Sequence, residues 1–374
     1  MLGLVNTVSS TSTPESKYSI TLDGTDDHIN LGDNLDLGTD DFSISLWAKF
    51  ADATGSTYFI AKNQDGPNRI RIFLHTDDKI KVTIEGGDNV VTNTAGASAV
   101  TALEDTWVHI CVTCDRDGDI KLYVNGSTST YGFSVTSGSS SQSLDNTAPW
   151  IIGAISPDGN FFTGKIAELA IWNVALDANN VAAIYNSGRP TNLNINSGNY
   201  IKATSLQAYY RMGNGTFDDK ANGVVHDQHA PGYGGELVND GGFPTGTTAW
   251  LKDTGWSLGD GVANGNISGG LVFLYQEDVG ITSNKTYKAN IEVKTLTSGS
   301  VNFYYFNGSS FINVASDLTL GPHTFYFTAT GSPNGSIYIG TGSFVGSVTN
   351  VSVKQLNGFP GITSGGPTFT SDTP

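Results

Sequence analysis

Few residues in this chain have both the type and the spacing for chemistry. Cys111 and Cys114 form a C-x-x-C, the spacing of dithiol and zinc sites. They lie in TWVHICVTCD, whose alternation is that of a strand, where residues three apart leave opposite faces. Cys114 therefore shares a face with Val108, Ile110 and Val112, and Cys111 shares the other with His109. With no second C-x-x-C, both are expected to be reduced, unbridged and buried as small hydrophobes. His226 and His229 bracket Asp227 in VVHDQHAP, inside an irregular acidic stretch where solvated side chains are expected. Asp23, Asp26 and Asp27 in LDGTDDH, and Asp115, Asp117 and Asp119 in DRDGD, offer oxygens suited to Ca²⁺. The second cluster lacks the glutamate that an EF-hand loop places at position 12 and joins two strands directly, so it reads as a hairpin turn. Asp23 and Asp26 remain the candidate calcium ligands, and no other cofactor is expected. No Ser/His/Asp set, phosphate-binding glycine loop or dinucleotide fingerprint is present.

The elements that must position these residues are strands. In 374 residues there are 46 Gly and 12 Pro beside 10% aromatics, too aromatic for disorder and too rich in turns for a helical protein. The length suggests two domains. Alternation starts at Lys17. In FSISLWAKF, Phe42, Ile44, Leu46, Ala48 and Phe50 share one face, and Ser43, Ser45, Trp47 and Lys49 the other. RIRIFLH, KIKVTIE and IKLYVNG repeat the period with Lys, Arg and Thr outward, as in antiparallel sheets wetted on one side. One helix is expected at about 177–186, with Asp177 as N-cap, Val181, Ile184 and Tyr185 on one face, Gly188 at C′ and Pro190 beyond. LQAYYRM could still complete the first domain. Residues 213–235 read as a linker loop, and a second run of strands extends from Glu236 to Leu356. The fold class is all-β: two tandem β-sandwich (jelly-roll) domains over 17–212 and 236–356, between an extended N-terminal arm (1–16) and a flexible C-terminal tail (357–374).

The blocks LDGTDDHINLGD, FSISLWAKF, TWVHICVTCDRDGDIKLYVNG, IIGA and GKIAELAIWNVALDANNVAAIYNSG, in that order, resemble the concanavalin A-like lectin/glucanase superfamily in its laminin-G-like branch. The resemblance implies a two-sheet jelly roll. Hydrolytic members carry a Glu-x-Asp-x-x-Glu-like set of carboxylates on one strand. Here only Glu168 is present, with Ala167 where the family commonly has Asp, and a lone carboxylate cannot be both acid and nucleophile. The resemblance therefore implies binding without catalysis. The second domain, from ELVNDGGFPTGTTAWLKDTGWSLGDG to NVSVKQL, is similar to carbohydrate-binding β-sandwich modules. There, aromatic faces stack on pyranose rings while amides and carboxylates take the hydroxyls. Trp250, Trp256, Tyr275 and Tyr304 are the candidate stacking rings. Core packing is the alternative for each, and the stronger one for Trp256.

The net charge of −16 excludes nucleic acid as a partner and disfavours anionic lipid surfaces, since both require a basic face. No run approaches the length of a membrane helix, and the opening residues lack the basic, apolar pattern of a secretory signal. LGLVNTVSSTSTPESKYSITLDGTDDHI also resembles structural proteins of phages infecting aquatic bacteria. That resemblance implies a virion surface protein, a capsid fibre or decoration or a tail-fibre component. It would be assembled in the host cytoplasm and released by lysis, and it would display glycan-binding-like domains to host or surface polysaccharide. The expected partners are other virion proteins, through the arm or tail, and cell-surface glycans. The expected state is a homo-oligomer, with a trimer as the analogue. The alternatives are a free bacterial glycan-binding protein and, behind it, a glucanase-type hydrolase.

Overall fold

Strand alternation fixes the architecture, and the computed structural model describes residues 16–63, 68–87, 89–93, 98–136, 142–157 and 159–374. The N-terminal arm, with its apolar Leu2, Leu4 and Val5, lies outside the described residues except for Ser16. The chain divides into two compact units. One comprises Met1–Leu31, Leu35–His229 and Thr363–Pro374, and the other Gly32–Asn34 and Ala230–Ile362.

The first unit is a two-sheet β-sandwich. One sheet runs Phe133–Thr136, Asp119–Val124, Val108–Cys114, Phe42–Lys49, Thr163–Trp172, Ser19–Asp23 and Thr368–Thr370, with Leu206–Tyr210 also paired to Thr163–Trp172. The opposing sheet includes, in order, His28–Asn30, Trp150–Ile152, Thr57–Asn63, Arg69–His75, Lys79–Gly86 and Asn89–Asn93. Phe42, Ile44, Leu46, Ile110, Val112, Ile166, Ile60, Ile72 and Val82 fill the space between them. At about 25 cal/mol per Å² of apolar area removed from water, such layers supply the main driving force of the fold.

The expected wetted face is not found on the central strands. Phe42–Lys49 and Val108–Cys114 are buried on both sides, because the helix Ala178–Tyr185 and the segment after it cover the outer side. Trp172, Leu176, Val181, Ile184, Leu193, Tyr200, Leu206 and Tyr209 form a second apolar layer there with Cys111 and Tyr123. The Asp177 carboxylate accepts from the Asn180 amide and caps the helix, as expected. The chain leaves the helix at Asn186 in the left-handed region, two residues before the expected Gly188. Both cysteines are buried and unbridged. Burial raises the pKa of both thiols, that of Cys114 to about 12, so neither is a thiolate nucleophile at neutral pH.

Two expectations are corrected in this unit. Residues 213–229 belong to the sandwich rather than to a linker, with a short strand at Val224–Val225 and with His226 and Asp227 fully buried. The Asp227 carboxylate accepts from the Tyr209 and His229 amides, both at 2.9 Å, so it organises backbone instead of facing solvent. The tail also returns. Strands occur at Gly361–Ser364 and Thr368–Thr370, and the latter pairs antiparallel with Ser19–Asp23. Gly213, at φ +97°, sits where Phe369 crosses, and a Cβ there would come within 2.8 Å of that ring. Beyond the strand, the Asp372 carboxylate receives Lys49 Nζ at 3.0 Å, Trp107 Nε1 at 3.0 Å and Lys165 Nζ. Partial burial opposes its ionisation, but hydrogen bonds from Lys165, Trp107 and Lys49 prevail and hold its pKa at about 2.

The second unit is also a sandwich. Trp256–Gly259, Val262–Ile267, Phe344–Leu356, Thr286–Gly299 and Gly321–Thr328 form one sheet, with Tyr233–Glu236 paired to Phe344–Leu356. Leu251–Lys252, Val272–Gln276, Ile337–Thr341, Val301–Phe306 and Phe311–Leu318 form the other. Phe243, Leu274, Ile291, Val293, Phe303, Tyr305, Ile339, Phe344 and Val353 belong to its core.

Candidate functional site

Strand register collects aromatic residues on the outer face of the second unit's smaller sheet. Leu274 and Ile339 point to the core, so their neighbours Phe273, Tyr275 and Tyr338 point outward. Tyr275 pairs with both Leu251 and Tyr338, and Tyr338 pairs with Tyr304. Phe306 pairs with Phe311 on the outermost strand. The rings form one connected platform. Tyr275 stacks on Tyr338 with centroids 5.4 Å apart, Phe273 stacks on Phe311 at 4.7 Å, and Tyr304 meets Phe273 edge-on at 6.0 Å. Gly340 leaves the centre flat: a Cβ there would lie 2.6 Å from Phe273 and 2.8 Å from Tyr304. Leu251 and Phe311 are 43% and 42% exposed. Hydrogen-bonding groups sit among the rings. Asn302 Nδ2 donates to the Tyr304 hydroxyl at 2.9 Å, and Asn334 Nδ2 donates to the Tyr338 hydroxyl at 3.1 Å. Apolar faces interleaved with amides and hydroxyls can take a pyranose ring by stacking and its hydroxyls by hydrogen bonds.

Of the four rings named from sequence, the structure brings Tyr275 and Tyr304 to this platform and removes both tryptophans. Trp250 is buried against Phe243, and its Nε1 donates to the Asn239 and Asp240 carbonyls at 3.0 and 3.2 Å. Trp256 is buried against Phe344. Their large apolar area stabilises the core of a small sandwich, leaving neither ring face for a ligand. Sequence reasoning missed Phe273, Phe311 and Tyr338. The available signal was alternation in VFLYQ and IYIGT, but only cross-strand register shows that these rings meet.

In the first unit, Glu168 is enclosed by its neighbours. It sits at a register shift between Ala167 and Ala170, with φ +49°, and it is 3% exposed. The Tyr209 hydroxyl donates to it, and Arg211 Nε and Nη2 approach at 3.3 Å. Burial alone would lower the Arg211 pKa, but the Glu168 carboxylate beside it holds it above its ordinary value. The adjoining cavity, lined by Ser45, Trp47, His109, Glu168, Pro190 and Thr191 among others, holds about 10 Å³, room for about one water and no sugar. His109 Nε2 lies 2.8 Å from Ser45 Oγ, and burial lowers the imidazole pKa to about 3.

Asp23, Asp26 and Asp27 bring one carboxylate oxygen each within 4.8 Å of the others, as do Asp41, Asp115 and Asp117. Both sets offer hard oxygen donors of the kind Ca²⁺ takes. The Asp23 carboxylate also accepts from the Thr25 amide at 2.8 Å, and Asp27 accepts from the Asp23 amide at 3.0 Å. Both thus serve as turn caps. Burial, then the neighbouring Asp23 and Asp26, raise the Asp27 pKa.

Residues 23–182 match the family model of the concanavalin A-like lectin/glucanases superfamily. A segment is 27% identical over 169 residues to adhesion G-protein coupled receptor V1 of Danio rerio; it takes in 42% of this chain and 2% of the receptor's length. Among solved structures, domain 4 of AbnA, an extracellular arabinanase from Geobacillus stearothermophilus solved with arabinotriose, gives a TM-score of 0.37 at 22% identity, over 45% of this chain and 76% of that one. The SAP-like pentraxin of Limulus polyphemus gives 0.35 at 17% identity, over 47% and 86%. Among the described residues no helix is long and apolar enough to cross a membrane.

Proposed function

We propose that this chain is a non-catalytic glycan-binding protein, with the Phe273–Tyr275–Tyr304–Phe311–Tyr338 face as its saccharide platform. The observation that carries the reading is the connected set of outward rings on one sheet, flattened at Gly340 and interspersed with Asn302 and Asn334. The match of residues 23–182 to the lectin/glucanases superfamily supports saccharide recognition, and the enclosure of Glu168 favours binding over hydrolysis. Calorimetry against a panel of neutral oligosaccharides tests it. Tyr304→Ala and Tyr275→Ala should each weaken binding by roughly 2- to 12-fold, the scale of one aromatic contact at about 0.5–1.5 kcal/mol. Unchanged binding by both folded variants would overturn the assignment, as would release of reducing sugar from any of the ligands.

The finer reading is display on a phage virion. It rests on the phage-like opening sequence and on the charge of −16, and it is tested by whether antibodies to the purified protein decorate particles under the electron microscope. Unlabelled particles from every phage preparation that encodes the chain would return the reading to a free glycan-binding protein.

A further inference from the structure

A second concave surface lies on the outer face of the first unit, across the strands Thr57–Asn63, Arg69–His75 and Lys79–Gly86. It encloses about 390 Å³ and is lined by Tyr58, Arg69, Arg71, Phe73, Lys81 and Glu85 among others. Register sets its layout. Tyr58, Phe73 and Lys81 lie in one row across the three strands. Arg71 pairs with Ala61 on one side and Thr83 on the other, and Arg69 pairs with Glu85. The floor is apolar: Tyr58 and Phe73 stack with centroids 4.8 Å apart and 15° between planes, backed by Ala61.

Its charge is opposite to that of the whole protein. Arg69, Arg71 and Lys81 face Glu85 in a chain of net charge −16. Two of these cations already have carboxylate partners, Arg69 with Glu85 and Lys81 with Asp77 at 3.0 Å. Arg71 makes no ion pair among the described residues; its Nε donates to the Asn63 side chain at 2.8 Å. Burial, then the adjacent Arg69, push the Arg71 pKa below its ordinary value against the opposing influence of Tyr58 and Glu85. Glu85, the carboxylate nearest to both guanidinium groups, is ion-paired with Arg69, and the planar fork of donors on Arg71 has the geometry to take a carboxylate or sulfate oxygen pair.

We infer that this groove is a second saccharide site, selective for sugars bearing a carboxylate or sulfate. Arg71 takes the anionic group, Arg69 and Lys81 add attraction, and the Tyr58–Phe73 floor lies under the ring. This site is independent of the platform in the second unit, and the two fail separately: Tyr304→Ala with neutral sugars tests the platform, and Arg71→Gln with acidic sugars tests the groove.

The experiment is calorimetry of the full chain against oligogalacturonate, oligoalginate and heparin- and chondroitin-derived oligosaccharides. Carboxyl-reduced oligogalacturonate and inorganic sulfate serve as controls. At least one acidic probe should bind at least tenfold tighter than both controls, and its affinity should fall as salt rises. Arg71→Gln should weaken that probe by roughly tenfold or more, the scale of a lost charge-assisted hydrogen bond. Lys81→Gln should weaken it less, and it provides the test should Arg71→Gln fail to fold. Absence of binding by all the acidic probes would overturn the proposal. So would equal binding of the reduced polymer, equal competition by inorganic sulfate, or unaltered affinity in the folded variants.

Discussion

Replacing Asp372 with Asn tests whether the C-terminal segment is fastened to the first unit. The carboxylate receives Lys49, Lys165 and Trp107. Its pKa falls from 3.8 to about 2, which at ~1.36 kcal/mol per pH unit corresponds to at most about 2.5 kcal/mol. The side chain is 32% exposed, so solvent screening reduces this to roughly 1–2 kcal/mol. Asparagine keeps an acceptor for Trp107 but removes the charge facing two lysines. The first unit's melting temperature should therefore drop by roughly 2–8 °C at pH 7. The sign of the pH dependence is fixed. A carboxylate whose folded pKa is depressed contributes stability above its unfolded value, and that contribution is lost as pH falls from about 4 towards 2. Melting curves of both proteins from pH 7 to pH 2 should converge at the acid end. Identical curves at pH 7, or a difference that persists unchanged at pH 2, would show that the carboxylate fastens nothing.

Further outcomes follow from the same geometry. Glu168→Gln should leave sugar binding unchanged but destabilise the first unit by about 2–4 kcal/mol in urea titration, because Arg211 is left buried without its counter-charge. His109 is held neutral by burial, near pKa 3 against an ordinary 6.5. Its contribution is complete above pH 6.5 and is lost as the unfolded chain takes up a proton below that. His109→Gln should therefore flatten the stability-versus-pH profile between about pH 6 and 4 by up to ~1.36 kcal/mol per pH unit. Gly340→Ala should weaken neutral-sugar binding and lower the second unit's melting temperature, since the added methyl collides with Phe273 and Tyr304.

The strands and the helix cap were legible because they are written in local periods. Phe42, Ile44 and Leu46 are buried as their alternation requires, and Asp177 caps its helix. What could not be read is non-local. Ser45, Trp47 and His109 look like an outer face until the segment after the helix covers them. Trp250 and Trp256 have the same composition signal whether they stack on sugar or fill a core, and only the packing of Phe243 and Phe344 decides. The groove-lining Arg69, Arg71 and Lys81 have the alternation of any wetted face, and their convergence depends on the pairing of three strands. TFTSDTP carries almost no apolar signal, because its attachment uses backbone ladder bonds and one carboxylate rather than a hydrophobic stripe.

The pairing of Thr368–Thr370 with Ser19–Asp23 joins Ile20 to Phe369, 349 residues apart. Lengthening a loop is cheap at equilibrium, about 0.6 kcal/mol for each doubling, so the cost falls on timing. During synthesis Ser19–Asp23 emerges early and its outer neighbour only after the whole second unit. Throughout that interval the sheet ends in an open row of amides and carbonyls, able to recruit a strand from another nascent chain. The returning segment is thus a late-arriving guard against mispairing, and chains cut short before residue 368 should aggregate more readily than their loss in stability alone would explain.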